Sequence, residues 1–78
     1  MTLKIISVTE TIFSGEVRSV TLPGEMGQFT VLKNHASLLS VLVPGTITYT
    51  DANGNSLSSK VSGGIADIDN NVISVCVY

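Results

Sequence analysis

Charged side chains are scarce in this sequence, and their scarcity limits the partners it can have. Only 13% of the 78 residues are Asp, Glu, Lys or Arg, about half of the ~25% that is usual in globular domains. The four basic residues are scattered and the net charge is −2, so the chain cannot neutralise a phosphate backbone. Two Phe, two Tyr and no Trp give no surface on which bases could stack. We therefore expect no nucleic-acid partner.

Cysteine, histidine and long apolar runs are also lacking. One cysteine and one histidine cannot form an internal disulfide or a structural metal site, and we interpret Cys76 as a small, half-buried hydrophobic residue. No apolar run approaches the ~20 residues that cross a bilayer, and the N-terminus lacks the long apolar centre of a signal peptide. The sequence predicts one cytosolic, unprocessed domain over residues 1–78, with no metal or cofactor.

What the sequence does contain is β-branched residues: ten Val, seven Ile and eight Thr against three Ala. Apolar and polar residues alternate in short segments that are separated by turn residues, which is typical of antiparallel strands. Hairpin turns are predicted at Asn53–Gly54 and at Asn70–Asn71. We predict an all-β fold, a two-layer antiparallel β-sandwich or flattened barrel of about eight to ten short strands without a long helix.

Two glycine positions are expected to bound one of these strands. Gly15 should end the preceding segment, and the pair Pro23–Gly24 should stop the strand because proline removes a donor from the ladder. Strict alternation along the predicted strand, Glu16–Leu22, places Val20 and Leu22 on one face and Val17 on the other.

No set of residues in the sequence supports a reaction. His35 lies two residues from Ser37 in an irregular loop, and neighbours on one loop seldom form a catalytic triad, so we interpret both as structural or interface residues. Asp67 and Asp69 should share one side of a strand, and we interpret them as solvent-exposed carboxylates at the end of a hairpin. The two glycine-rich loops, Gly24–Gly27 and Ser62–Gly64, lack the lysine and the following helix of a phosphate loop. We predict a non-catalytic protein in which Leu38–Val43 belongs to a permanent interface.

Four segments, taken in order, resemble one known family. Ser19–Phe29, Asn34–Leu39, Pro44–Thr46 and Val61–Gly64 are similar to the blocks VTLPGEDGEFGVLPNHAPLL, KPG and VSGG of the N-terminal β-sandwich domain of the epsilon subunit of F-type ATP synthase. This resemblance covers essentially the whole chain. It implies a non-catalytic rotor subunit of the central stalk that binds the gamma subunit and the c-ring and helps to couple proton translocation to ATP synthesis.

The resemblance also implies interface residues and a location. Seven residues are expected to contact the gamma subunit or the c-ring: Glu25, Met26, Gln28, Asn34, His35, Ser37 and Ser62. The first three resemble the c-ring contact, where Gln28 replaces an acidic residue that is usual in the family. The implied location is the cytoplasmic face of the bacterial inner membrane, reached only through the complex, with the plastid thylakoid surface as second choice.

Two other interpretations stay open. A lipoyl or biotinyl carrier domain is also all-β and of this length, although Gly27 stands where the modified lysine would follow Met26, and Lys60 is not in a tight hairpin turn. The other alternative is a generic protein-binding sandwich.

Many epsilon subunits continue into two C-terminal helices that can inhibit ATP hydrolysis and, in some, bind ATP. Since this sequence stops at Tyr78, we expect no helical hairpin, no inhibition and no tight ATP binding from it, whether the natural protein is short or continues.

Overall fold

The computed structural model describes residues 1–78, and every regular element in it is a β-strand. The eight strands agree with the predicted all-β fold, and no helix that could span a membrane is found. In chain order the strands are β1 Thr2–Ile6, β2 Thr11–Gly24, β3 Gly27–Leu32, β4 Leu38–Leu42, β5 Gly45–Asp51, β6 Ser56–Val61, β7 Gly64–Asp69 and β8 Val72–Val77.

The strands form two layers that are joined by β2. The first layer has the order β1-β8-β7-β4, and the second contains β6, β5, the C-terminal half of β2, and β3. The N-terminal half of β2 pairs with β1, and its last residue meets β4, so this strand passes from one layer to the other. All pairs are antiparallel except β1 with β8. These are the first and last strands, and no hairpin fixes their relative direction.

The core lies between the layers and consists of 15 buried hydrophobic residues, with no buried polar side chain. On β8, Ile73, Val75 and Val77 point inward as alternation predicts. The prediction that Cys76 is half-buried is wrong, because the same alternation turns its side chain outward and leaves it exposed.

β2 is longer than the sequence predicted. It continues through Gly15 and ends only at Gly24, over 14 residues. Pro23 lies next to the end of the strand, where its carbonyl oxygen accepts a hydrogen bond from the Val43 amide at 2.9 Å although its nitrogen has no hydrogen to donate to the ladder. The predicted end at Gly15 is therefore wrong, whereas the strand does stop within the predicted pair Pro23–Gly24.

A bulge in β2 also corrects the predicted faces of this strand. The register against β5 shifts between Val17 and Ser19, so Val17 and Val20 both face the core although they are three residues apart. A bulge inserts one residue into the alternation, which moves the side chains before it to the opposite face. Val17 thus lies on the same side as Val20 and Leu22.

Candidate functional site

The outer face of the first layer carries a row of apolar side chains that crosses four strands. Ile6 pairs with Cys76, Cys76 with Ile65, and Ile65 with Val41. Residues paired across strands point to the same face, so these four side chains, which we call the apolar row, are neighbours. Ile65 and Val41 are each 49% exposed. A continuous strip of exposed apolar side chains is typical of a face that a partner covers.

A groove of about 340 Å³ runs along three of the four members of the apolar row. Six of its seven lining residues are hydrophobic, and they include Ile6, Ile65 and Cys76 from the row itself. Val8 and Tyr78 stand at its edge and are 92% and 76% exposed. The groove therefore has the chemistry to receive an apolar side chain from another protein.

The same face becomes polar away from the apolar row. Asp67 pairs with Ser74 and Asp69 with Val72, and both carboxylates are exposed on one side of β7, as predicted. The Asp69 carboxylate accepts a hydrogen bond from the Ser37 hydroxyl at 2.7 Å. No group of three or more potential ligands is placed to hold a metal ion.

Side-chain hydrogen bonds bind the β3–β4 loop to the β7–β8 turn. The backbone amide of Asn34 donates to Asn71 Oδ1 at 2.7 Å. In return, the side-chain nitrogen Nδ2 of Asn71 donates to Asn34 Oδ1 at 3.2 Å. Asn34, Asn70 and Asn71 have φ of 65°, 50° and 62°, a left-handed conformation that asparagine adopts more readily than most residues. The turn predicted at Asn70–Asn71 is present. The loop and the turn thus form one polar cluster.

His35 lies in this polar cluster without a catalytic partner. Its Nδ1 is 2.7 Å from the carbonyl oxygen of Ala36, and the Ser37 hydroxyl donates to Asp69 instead of to the imidazole. The loop therefore offers no nucleophile and base in contact. Its polar groups are available for recognition of a surface.

The β2–β3 hairpin presents a second candidate surface. Met26 at its tip is 98% exposed, and Glu25 and Gln28 on either side are exposed as well. A depression of about 430 Å³ separates this hairpin from Leu39 and Val41 of β4. A fully exposed methionine beside exposed leucine and valine makes this tip an apolar contact point with a single carboxylate.

Ser62 is located apart from the other predicted residues. It lies in the β6–β7 connection and lines an open depression together with Pro44 and Lys60. The next residue, Gly63, lies so close to Tyr78 that a Cβ placed on it would be 3.0 Å from the tyrosine ring. The structure therefore groups the seven predicted residues into a hairpin set, a loop set and a separate serine.

Most of the apolar row was not predicted from the sequence, since only Val41 lies within the predicted segment Leu38–Val43. The signal was present as consecutive apolar residues, at Ile5–Ile6 and at Val75–Cys76. A strand with one solvated face alternates, whereas adjacent apolar residues indicate that both faces are covered.

Comparison with known proteins identifies the family. A family model described as "ATP synthase, Delta/Epsilon chain, beta-sandwich domain" matches residues 1–78. The chain belongs to this family. The resemblance seen in the sequence is therefore confirmed, together with the β-sandwich class.

Curated relatives and solved structures agree with this family. The ATP synthase epsilon chain of Wolinella succinogenes is 45% identical over 67 residues, covering 86% of this chain and 51% of the relative. That of Bordetella petrii is 38% identical over 71 residues, covering 91% and 50%. The chain spans about half the length of these curated relatives.

Two solved assemblies contain a chain with the same fold. A chain of the Euglena gracilis mitochondrial ATP synthase, in a structure of OSCP, F1 and the c-ring, has a TM-score of 0.89 at 25% identity, covering 96% of this chain and 48% of that one. In the central stalk and c-ring of the Tetrahymena thermophila mitochondrial ATP synthase, the TM-score is 0.79 at 17% identity, with 99% and 62% covered. The second likeness shows the fold alone.

Proposed function

We propose that this β-sandwich acts as a non-catalytic part of the ATP synthase rotor, as an epsilon subunit that binds the gamma subunit and the c-ring and helps to couple proton translocation to ATP synthesis. Membership of the delta/epsilon family and relatives named ATP synthase epsilon chain support this proposal. The two curated relatives named above are bacterial, although the two solved assemblies are mitochondrial, and this favours the cytoplasmic face of the bacterial inner membrane. The chain would reach the membrane only through the complex.

The apolar row is the observation on which the proposal depends. It has no charged member, and it continues into a groove lined by hydrophobic residues. Covering such a strip is favourable by roughly 25 cal/mol per Å² of apolar surface, provided that the partner brings an apolar surface of its own. We assign this face to the gamma subunit, with the loop residues Asn34, His35 and Ser37 and the serine Ser62 at its polar rim.

The β2–β3 hairpin is assigned to the c-ring. Met26 has the largest exposed fraction of the large hydrophobic residues, and Glu25 is the one charged residue of the tip because Gln28 is neutral. A contact of this composition depends on apolar burial more than on ion pairs, so its affinity should change little with salt.

The carrier-domain alternative gains no support from the structure. Lys60 lies within β6 and not at a hairpin tip, where a swinging arm would have to be attached. At the hairpin that carries Met26, the next residue is Gly27 with φ of 123°, a conformation that a lysine would adopt only with strain.

The test is direct binding of the full chain to the purified gamma subunit and, separately, to the detergent-solubilised c-ring. We expect Met26→Ser to weaken c-ring binding by about tenfold and to leave gamma affinity unchanged, because truncating a central apolar contact costs about 1–2 kcal/mol. Ser58→Asp, on the exposed side of β6, is the matched control and should bind both partners normally. A wild-type chain that binds neither partner would contradict the proposal.

A further inference from the structure

Two backbone hydrogen bonds connect the β2–β3 hairpin to β4. The Glu25 amide donates to the Val41 carbonyl oxygen at 2.8 Å, and the Val43 amide donates to the Pro23 carbonyl oxygen at 2.9 Å. The two bonds flank the pair Gly24–Leu42, which is the one position at which β2 pairs with β4. We call this pair with its two hydrogen bonds the joint.

The joint lies directly between the two surfaces that the proposed function assigns to different partners. Its donor Glu25 is a tip residue of the hairpin and precedes Met26 in the chain. Its acceptor Val41 is a member of the apolar row. One hydrogen bond therefore links the c-ring surface to the gamma surface without any intervening residue.

Packing at the joint leaves no space for side chains. A Cβ on Gly24 would lie 2.8 Å from both the Gly27 carbonyl oxygen and the Phe29 ring, and one on Gly45 would lie 2.9 Å from Pro23 Cβ. Neither Gly24 nor Gly45 has a positive φ, so the close approach of neighbouring atoms is what requires glycine here. These approaches hold Gly24 against β3 within the hairpin and Pro23 against β5, while the two hydrogen bonds connect the hairpin to β4.

We propose that the joint holds the hairpin at a fixed angle to the apolar row, so that a chain seated on the gamma subunit already presents Met26 to the c-ring. This inference rests on the proposed function. A hairpin held in place before binding loses little conformational freedom when it meets the ring, whereas a free hairpin would have to be ordered at that step. Val43 is then a positioning residue that acts through its amide.

Val43→Pro tests the proposal because proline removes the amide that donates to Pro23. Val43→Ala is the matched control, since it shortens the same side chain and keeps the amide. We expect Val43→Pro to weaken c-ring binding by about fivefold or more relative to Val43→Ala. A factor of about five in Kd is what the loss of one ordinary hydrogen bond corresponds to. The two variants should bind the gamma subunit equally, and hydrogen exchange at the Glu25 amide should be faster in Val43→Pro.

Three outcomes would overturn the inference, and they can be told apart. If Glu25 exchanges faster but both variants bind the c-ring equally, the inference is wrong and the proposed function stands. If Val43→Pro loses gamma and c-ring binding to the same extent, with a lower thermal midpoint, the joint has only a structural role. If the wild-type chain binds neither the gamma subunit nor the c-ring, the proposed function fails and the inference fails with it.

Discussion

The two layers of the sandwich have outer faces that are built alike and differ in chemistry. On the first layer, the paired outward residues form the apolar row of Ile6, Cys76, Ile65 and Val41. On the second layer, Thr30 pairs with Thr21, Thr21 with Thr48, and Thr48 with Ser58, which gives a row of hydroxyls that we call the hydroxyl row. Each row crosses four strands, and all of its members point away from the core.

The difference shows how a protein with few charges distinguishes its two sides. The hydroxyls of Thr21 and Thr30 lie 2.9 Å apart and hydrogen-bond to one another, and exposed hydroxyls are also solvated by water. The hydroxyl row therefore needs no cover, whereas the apolar row gains free energy when it is removed from water. Side-chain chemistry, and not the shape of either layer, is therefore the basis on which we propose that the first layer faces a partner.

The largest effect is expected from a charge at the centre of the apolar row. Ile65→Asp should weaken gamma binding by at least about 2 kcal/mol, or about 30-fold in Kd, because a carboxylate would be removed from water without a partner. The fold should persist, since the side chain of Ile65 is half-exposed and outside the core. Titration of the gamma subunit with the variant gives the affinity, and circular dichroism during heating gives the thermal midpoint.

Thr48→Asp is the matched control because it places the same charge at the centre of the hydroxyl row. We expect it to bind the gamma subunit like the wild-type chain. If Thr48→Asp lost affinity and Ile65→Asp kept it, the assignment of the two faces would have to be exchanged.

A smaller effect is expected at the polar rim of the apolar face. Ser62→Asp should weaken gamma binding by about 1 kcal/mol, about fivefold in Kd, without a change in thermal midpoint, since Ser62 is exposed and forms no side-chain hydrogen bond. Isothermal titration calorimetry would measure the loss. Ser58→Asp is again the control, and equal affinities for the two variants would remove Ser62 from the interface.

Ser37→Asp differs from Ser62→Asp in its effect on stability. The Ser37 hydroxyl donates to Asp69 at 2.7 Å, so the substitution loses this bond and brings a second carboxylate towards the first. We expect a lower thermal midpoint as well as weaker gamma binding. Ser37→Ala, which only removes the hydrogen bond, separates the two contributions. Unchanged gamma affinity in Ser37→Asp would show that the loop is outside the interface.

The smallest effect is expected in the β5–β6 hairpin, on the layer that carries the hydroxyl row. The backbone amide of Asn55 donates to the Asp51 carboxylate at 2.9 Å and holds the pKa of that carboxyl below its ordinary value. A lowered folded-state pKa stabilises the protein above the ordinary aspartate pKa of about 4, and this contribution is lost as the pH falls through the folded-state pKa.

Asp51→Asn should therefore reduce the part of the stability that disappears in acid, without changing gamma affinity at neutral pH. Denaturant unfolding of both proteins between pH 7 and about pH 2 measures the difference. A parallel pH dependence in the two proteins would show that Asp51 does not contribute to it.

The comparison also shows how far the sequence could predict this structure. The turns at Asn53–Gly54 and Asn70–Asn71 were predictable because asparagine and glycine favour the left-handed φ that such turns require, and both residue types occupy the turn positions. The bulge beside Val17 was not, because an extra residue in one strand is defined only by its partner strand. Sequence patterns specify local conformation well and pairing poorly.

For the candidate site too, local segments were predictable and contacts between distant strands were not. The hairpin and loop residues were predicted because they lie in contiguous segments that resemble the family. The apolar row joins β1, β4, β7 and β8, and the bond between Asn34 and Asn71 spans 37 positions of the chain. Such contacts depend on the register of strands that are distant in sequence, which alternation within one strand does not determine.

The central claim is that a partner covers the apolar row and leaves the hydroxyl row in water, and one labelling measurement tests it. Cys76 is the one native cysteine and lies in the apolar row, and Thr48→Cys adds a thiol to the hydroxyl row of the same chain. Both thiols would be labelled with a maleimide, with and without the gamma subunit, and counted by peptide mass spectrometry. We expect the gamma subunit to protect Cys76 and to leave the introduced cysteine reactive. Protection of the introduced cysteine with Cys76 still reactive would contradict it.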